Sequence, residues 1–243
     1  MTEEEFIKFL DENNINYTEK ELDQLTEYKN LLKEYNQKYN LTAIIEDKEI
    51  YLKHFCDSLL LLKYFDFNNN INLVDIGTGA GFPGMVLKIF KPNLKLYLIE
   101  SNGKKCSFLH VVKEKLNMTE VEIVNCRAED YAVKNIDKFD VVVSRAVANL
   151  KVLVELSLPL VKKNGVFIAM KGKLEEELTD SNRIISKLNG KILDIKKYKL
   201  PVLEHDRSIV IIQKTDKNPK GYPRKYNEIV KSNWKRKQNK LSL

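Results

Sequence analysis

Cysteine, histidine and tryptophan are scarce in this chain of 243 residues, with three, three and one of each. Cys56, Cys106 and Cys126 are odd in number, far apart and in no C-x-x-C arrangement. That spacing excludes a disulfide framework and leaves no thiolate set for zinc, so buried free thiols are expected. His54, His110 and His205 form no H-x-x-x-H pair, and no metal is expected. Nine glycines and six prolines are too few for a collagen-like or low-complexity chain. The apolar runs, such as residues 59–62, fall far short of the ~20 residues that span a bilayer. The first ten residues begin acidic and have neither a basic n-region nor an apolar h-region. No secretory signal is read there, and the expected compartment is the cytoplasm, with no membrane partner.

What is present is an ordinary globular composition, 43% hydrophobic and 31% charged, of a length that suits one α/β domain with a small helical attachment. The formal net charge of +7 is unevenly spread: ten Lys or Arg lie in residues 214–243 against Asp216 and Glu228, whereas the first thirty residues hold nine acids and three lysines. A basic C-terminal stretch suits a polyanionic partner, and it also suits a solvated tail kept for solubility.

The stretch at 72–84, NLVDIGTGAGFPG, organises the rest. Leu73, Val74 and Ile76 are β-prone residues of a buried strand, and Asp75 interrupts them where such a strand is about to end. Gly77, Gly79, Gly81 and Gly84 then crowd into eight residues, followed through by Pro83 as a first helical residue. A strand, a glycine turn and a helix leave backbone N–H groups aimed at whatever lies over the turn. Residues 95–99 read as a second strand ending in Glu100, where a ribose-binding carboxylate belongs. Gly79, Gly81 and Gly84 satisfy G-x-G-x-x-G, so a nicotinamide dinucleotide and an NAD-dependent oxidoreductase stay open on spacing alone.

Before this loop, Leu22, Leu25, Tyr28, Leu32 and Tyr35 recur at helical spacing, and Thr18 with Glu21 forms a capping-box signature. Residues 48–65 read as one further amphipathic helix. On it His54, Asp57 and Ser58 are taken as structural, because Ser58 has no nucleophile elbow; a place lining the substrate side stays open. After the loop, strands at 95–99, 121–124, 140–143 and 165–170 alternate with helices at 84–90, 104–116, 150–161 and 173–188. Two strands, 191–200 and 208–214, follow without a helix between them. The pattern predicts a doubly wound, mostly parallel twisted sheet with an antiparallel edge hairpin. A dinucleotide fold would normally continue with further strand–helix units instead. The expected divisions are N-terminal helices over 1–66, a core over 67–214 and a basic extension over 215–243. Beyond the carboxyl ends of the strands stand Arg127, Arg145 and Lys171, three cations on separate loops suited to phosphate or carboxylate recognition.

Several segments resemble one family, the ribosomal small-subunit RNA methyltransferase G family, formerly called glucose-inhibited division protein B. They are Asn40-Leu41-Thr42-Ala43, His54-Phe55-Cys56-Asp57-Ser58-Leu59, the run from Asp75 to Gly84, Lys104-Lys105-Cys106-x-Phe108-Leu109, Arg127-Ala128-Glu129, Ser144-Arg145-Ala146-Val147-Ala148, Met170-Lys171-Gly172 and Tyr222-Pro223-Arg224-Lys225. They occur in one order along most of the chain, and the G-F-P-G and S-R-A-V-A pieces are more specific than a generic glycine loop.

The resemblance implies a Rossmann-like S-adenosylmethionine-dependent methyltransferase fold. It also implies methyl transfer to N7 of one guanine, nucleotide 527, of 16S ribosomal RNA, free or in the 30S subunit. A monomer is expected, since nothing in the sequence suggests an obligate partner. By position it assigns Asp75, Gly77, Gly79, Gly81, Phe82, Glu100, Ala128, Glu129 and Arg145 to the cofactor. Glu100 stands where aspartate is more usual. Arg145 is the one catalytic candidate, for the donor carboxylate, an RNA phosphate or guanine O6, and no general base is expected. Arg127, Lys171, Arg207, Arg224 and Lys225 are implied for RNA. Relatives tend to continue the Y-P-R-K segment as G-x-P-x-K-x-P-L, whereas this chain continues from Tyr226 to Trp234 in a different sequence. The alternative from another class is a non-catalytic RNA-binding protein on the same fold.

Overall fold

The structure is a computed structural model that describes residues 1–67, 70–145, 148–172, 174–201 and 206–231, without the side chains of 175 and 176. Ala146, Val147, His205 and the end of the chain with Trp234 lie outside the described residues.

Helices open the chain. α1 (Glu3–Glu12) and α2 (Glu19–Tyr39) both begin at capping boxes. In the second, the backbone N–H of Thr18 donates to Glu21 Oε2 at 2.8 Å, as its sequence signature predicts. The expected single helix over 48–65 is instead broken into α3 (Asp47–Glu49), a π-helical stretch (Ile50–Cys56), α4 (Asp57–Leu59) and α5 (Leu61–Tyr64). A π turn widens the repeat, so Ile50, Tyr51, Leu52, Phe55 and Cys56 are buried together with His54. The wider turn sends His54 and Asp57 inward toward the sheet rather than along a helix surface.

The remainder alternates: β1 (Asn72–Ile76), α6 (Gly84–Phe90), β2 (Lys95–Glu100), α7 (Gly103–Lys115), β3 (Val121–Asn125), α8 (Ala128–Lys134), β4 (Phe139–Arg145), α9 (Leu150–Ser157), a 3₁₀ turn (Leu158–Leu160), β5 (Val161–Lys171), α10 (Glu175–Lys187), β6 (Gly190–Lys199) and β7 (Asp206–Lys214). The seven strands lie in the order β3-β2-β1-β4-β5-β7-β6, with β7 antiparallel to both β5 and β6 and the other pairs parallel. This is the doubly wound sheet with an antiparallel edge that the sequence predicts. α8 is additional, because its seven residues offer only two buried side chains, Tyr131 and Ala132, and no helical stripe.

Successive strand residues go to opposite faces. Leu73, Val141, Val143, Ile168 and Ile211 pack in the core beneath the N-terminal helices, α6 and α7, while Val74, Val142, Phe167 and Val210 enter the core against α8, α9 and α10. With both faces covered, the inner strands β1 and β4 are apolar nearly throughout, whereas the edge strand β6 carries Lys191, Asp194, Lys196, Lys197 and Lys199. Strand order reverses between β1 and β4, which leaves a crevice over their carboxyl ends.

Candidate functional site

The glycine loop is held from beneath by Asp75. Its fully buried Oδ2 accepts from Thr78 Oγ1 at 2.7 Å and from the Gly84 N–H at 2.9 Å, tying the strand end to the start of α6. Oδ1 has no protein partner. Burial raises the Asp75 pKa to about 6, against the two hydrogen bonds that favour the anion. Two glycines are required by close approach. A Cβ on Gly84 would sit 2.8 Å from Leu98 and 2.9 Å from Asp75 Oδ2, and one on Gly81, at φ +102°, would land on the Tyr28 hydroxyl. That hydroxyl donates to Ala80 O at 2.5 Å, so α2 clamps the loop from the side.

Glu100, at the end of β2, closes the other side. Its Oε2 accepts from the Gly79 N–H at 3.0 Å and its Oε1 from the Asn102 N–H at 2.8 Å, while the N–H of Gly77 donates to Ile99 O at 2.9 Å. Beside it a pocket opens over β1, β2 and β3, lined by Ile76, Gly77, Ile99, Glu100, Ser101, Cys126, Arg127, Ala128, Glu129, Ala148, Leu156 and Tyr226. Apolar side chains make up much of its wall, and its charged groups are Glu100, Glu129 and the Arg127 guanidinium that pairs with Glu129. That donor set fits a flat heterocycle carrying a vicinal diol: apolar walls take the ring, and Glu100 retains lone pairs for hydroxyls. Of the residues read for the cofactor, Gly77, Glu100, Ala128 and Glu129 line this pocket; Asp75, Gly79 and Gly81 build the loop behind it. Phe82 is 4% exposed, its ring stacked between Tyr28 at 5.2 Å and His54 at 4.1 Å.

A second cleft, of about 330 Å³, opens over the ends of β4 and β5 and is lined by Ile44, Lys53, His54, Asp57, Arg145, Met170, Lys171, Gly172 and Arg207. Arg145 is its centre. Its guanidinium donates to Lys53 O at 2.8 Å, to Asp57 Oδ2 at 3.1 Å and to His54 Nδ1 at 3.0 Å, and lies 5.4 Å over the Phe82 ring. Because Nδ1 accepts from an arginine, the histidine proton sits on Nε2, 3.3 Å from Thr42 Oγ1. Burial and the adjacent Arg145 charge lower the His54 pKa to about 2, so the ring is neutral. Asp57, 3% exposed, also accepts from the Tyr198 hydroxyl at 3.1 Å, with Arg207 Nε 3.6 Å away. Burial and the Asp57 charge hold that phenol protonated, well above its ordinary pKa.

The three rim cations each meet a carboxylate. Arg127 Nε lies 2.6 Å from Glu129, Arg145 pairs with Asp57, and Lys171 Nζ lies 3.0 Å from Glu177 and donates to Ala148 O at 2.7 Å. Arg224 grips Glu155 with Nε and an NH₂ group, both at 2.6 Å, whereas Lys225 is exposed. Asp75 and Val143 are register partners on β1 and β4, so the two depressions stand over the ends of adjacent strands.

The family described as rRNA small subunit methyltransferase G matches residues 21–210. Curated relatives of that name extend the likeness to nearly the full length. One from Oceanobacillus iheyensis is 45% identical, covering 93% of this chain and 96% of its own, and one from Bacillus subtilis is 42% identical, covering 93% and 95%. The chain belongs to the rRNA small subunit methyltransferase G family.

Solved structures that resemble this family member do so at low identity and share its fold. TYW2 of M. jannaschii, in complex with AdoMet, is 19% identical with a TM-score of 0.53, covering 66% of this chain and 76% of that one. The precorrin-6y C5,15-methyltransferase of Geobacter metallireducens is 14% identical with a TM-score of 0.51, covering 74% and 95%. Against this family background, His54 and Asp57, which sequence reasoning took as structural while leaving open a place lining the substrate side, do line the second cleft, and Tyr198 is the residue it passed over. The signal for the first two was their place in one of the family-like segments; Tyr198, on β6, carried none.

Proposed function

We propose that this protein transfers the methyl group of S-adenosylmethionine to N7 of a single guanine of 16S ribosomal RNA, the guanine at 527 being the family expectation. The observation that carries the reading is the pair of depressions over adjacent strands: a carboxylate-and-apolar pocket for the donor beside a cleft of cationic side chains for the acceptor.

The donor, when bound, supplies an electrophilic methyl on a sulfonium. Gly77 and the loop tied by Asp75 hold its amino-acid end, Glu100 its ribose hydroxyls, and the walls at Ile99, Ala128 and Leu156 its purine, with Glu129 at the purine edge. Guanine N7 bears a lone pair and no proton, so the protein needs alignment and water exclusion rather than a general base. That agrees with a neutral His54 whose nitrogens are both engaged, and with a Tyr198 that keeps its proton. Arg145, fixed by three acceptors, presents a guanidinium of set orientation at the cleft floor, where it meets guanine O6 or the adjoining phosphate. Its partner Asp57 offsets the guanidinium charge, which suits an acceptor base that gains positive charge.

RNA approaches over Arg207, Lys53, Arg127 and Lys225. Lys171 and Arg224 act in the same surface through the carboxylates they orient. The protein works as a cytoplasmic monomer on the small-subunit RNA or particle. Among the described residues no helix is long and apolar enough to cross a membrane. The test is donor-dependent labelling: unmethylated small subunits incubated with methyl-labelled S-adenosylmethionine should take up label in RNA, with NAD neither bound nor required.

A further inference from the structure

The chain beyond β7 is not a loose basic tail up to residue 231. Asn218 Nδ2 donates to Tyr222 O at 2.7 Å, and Arg224 clasps Glu155, a carboxylate only 1% exposed on α9. Ile229, 1% exposed, is buried against Val152 and Leu156 of the same helix. Between these two anchors, Tyr226 reaches the donor pocket and shares its lining with Ala128, Glu129, Ala148 and Leu156. The Arg127 guanidinium lies 5.2 Å over the Tyr226 ring. A cation thus lies over the ring and helps to fix it in place.

We propose that Tyr226 is a binding residue for the donor's purine ring, and that residues 222–231 form a wall of the donor pocket as well as part of the RNA-facing surface. The inference rests on the reading above that the donor is an adenosyl compound. Three observations argue for a ligand role over a packing role. Tyr226 is only half-buried although Arg224 before it and Ile229 after it are anchored; it lines the pocket; and its neighbours in that lining include two small side chains, Ala128 and Ala148. A purine between such walls is held by stacking, a contact indifferent to the methionine part of the ligand.

Calorimetric titration of the full chain with S-adenosylhomocysteine and, separately, with 5′-methylthioadenosine tests this, alongside the melting temperature of each ligand-free protein. Tyr226→Ala should weaken both ligands by about tenfold, since stacking on an aromatic residue is worth roughly 1–3 kcal/mol. Tyr226→Phe should bind as the parent does. Tyr226→Leu keeps apolar bulk without a π face; it should melt with the parent and bind as poorly as the alanine variant. Equal affinities for the parent and the Tyr226→Leu protein would overturn the proposal while leaving the methyltransferase reading intact. A parent protein that binds neither adenosyl ligand at millimolar concentration would overturn that reading, and this inference with it.

Discussion

His54 lies flat on Phe82, the ring centroids 4.1 Å apart and the planes 6° from parallel. One residue belongs to the π-helical stretch of the N-terminal region and the other to the glycine loop, so this contact joins the cleft over β4 and β5 to that loop. Arg145 completes the unit, bonded to the imidazole at 3.0 Å and placed 5.4 Å over the same phenyl ring.

Replacing Arg145 should separate chemistry from donor binding. Lysine keeps the charge but cannot satisfy Lys53 O, Asp57 and His54 together, because it lacks the planar fork. Arg145→Lys should lower single-turnover methyl transfer by about 100-fold, as loss of one oriented electrostatic group does. The Kd for S-adenosylhomocysteine should stay within about threefold. Arg145→Ala leaves the Asp57 carboxylate to the Tyr198 hydroxyl and Arg207 alone and should cost about 1–3 kcal/mol of stability as well, read by denaturant unfolding.

Acid should unfold the protein partly through His54. Its folded-state pKa of about 2 lies below the unfolded value of 6.5, so between those values the unfolded chain binds the extra proton. The stability from keeping the ring neutral is present above pH 6.5 and declines as the pH falls. The unfolding free energy of the parent relative to His54→Gln should fall by on the order of 2 kcal/mol between pH 7 and pH 5 in chemical denaturation, which isolates the histidine from the opposing titration of Asp75.

Asp75 should act with the opposite sign. Its folded pKa of about 6 lies above the ordinary aspartate value of 3.8, so the folded protein binds the extra proton between them. This stabilisation is complete below about pH 4 and disappears as the pH rises through 6. The difference in unfolding free energy between the parent and Asp75→Asn should therefore fall across that window. A flat difference would mean that the carboxyl is already ionised at pH 4.

Gly81→Ala should cost about 2–4 kcal/mol, since its φ of +102° disfavours any Cβ and the Tyr28 hydroxyl occupies the space. Adding Tyr28→Phe removes that oxygen and should recover about 1 kcal/mol in a double-mutant cycle, leaving the backbone strain in place.

For RNA, Arg207→Ala should weaken binding and reduce the magnitude of the slope of log K against log salt by about one, with donor affinity unchanged. The comparison is Lys171→Ala. Its ammonium is 10% exposed and joined to Glu177 and Ala148 O, so that variant should lose stability along with RNA affinity.

The sheet was legible in the sequence because local signals state it: β-prone runs, the glycine turn and the absence of a helix between the last two strands. The helix over 128–134 was hidden, since Tyr131 and Ala132 make no stripe and Val133 is 60% exposed. The π-helical stretch was hidden for a related reason, because Leu52, Phe55, Leu59 and Leu62 recur three or four apart, as they would in an unbroken α-helix. Site residues divided in the same way. The loop glycines and Glu100 sit at fixed offsets from one strand, whereas Arg145 meets Asp57 across 88 residues and Tyr198 meets Asp57 across 141. No local pattern encodes such partners. The cations at 127, 145 and 171 could be counted in the sequence, but not the carboxylate each one holds.

Methylation mapping tests the central claim most directly. Small subunits from cells lacking this gene, incubated with the purified protein and S-adenosylmethionine, are analysed for strand scission at N7-methylguanine after borohydride and aniline treatment. The account predicts one new cleavage in 16S ribosomal RNA, approaching completion, absent without the donor and strongly reduced with Arg145→Lys. Label on an exocyclic amine, or no donor-dependent product while the donor binds, would contradict it.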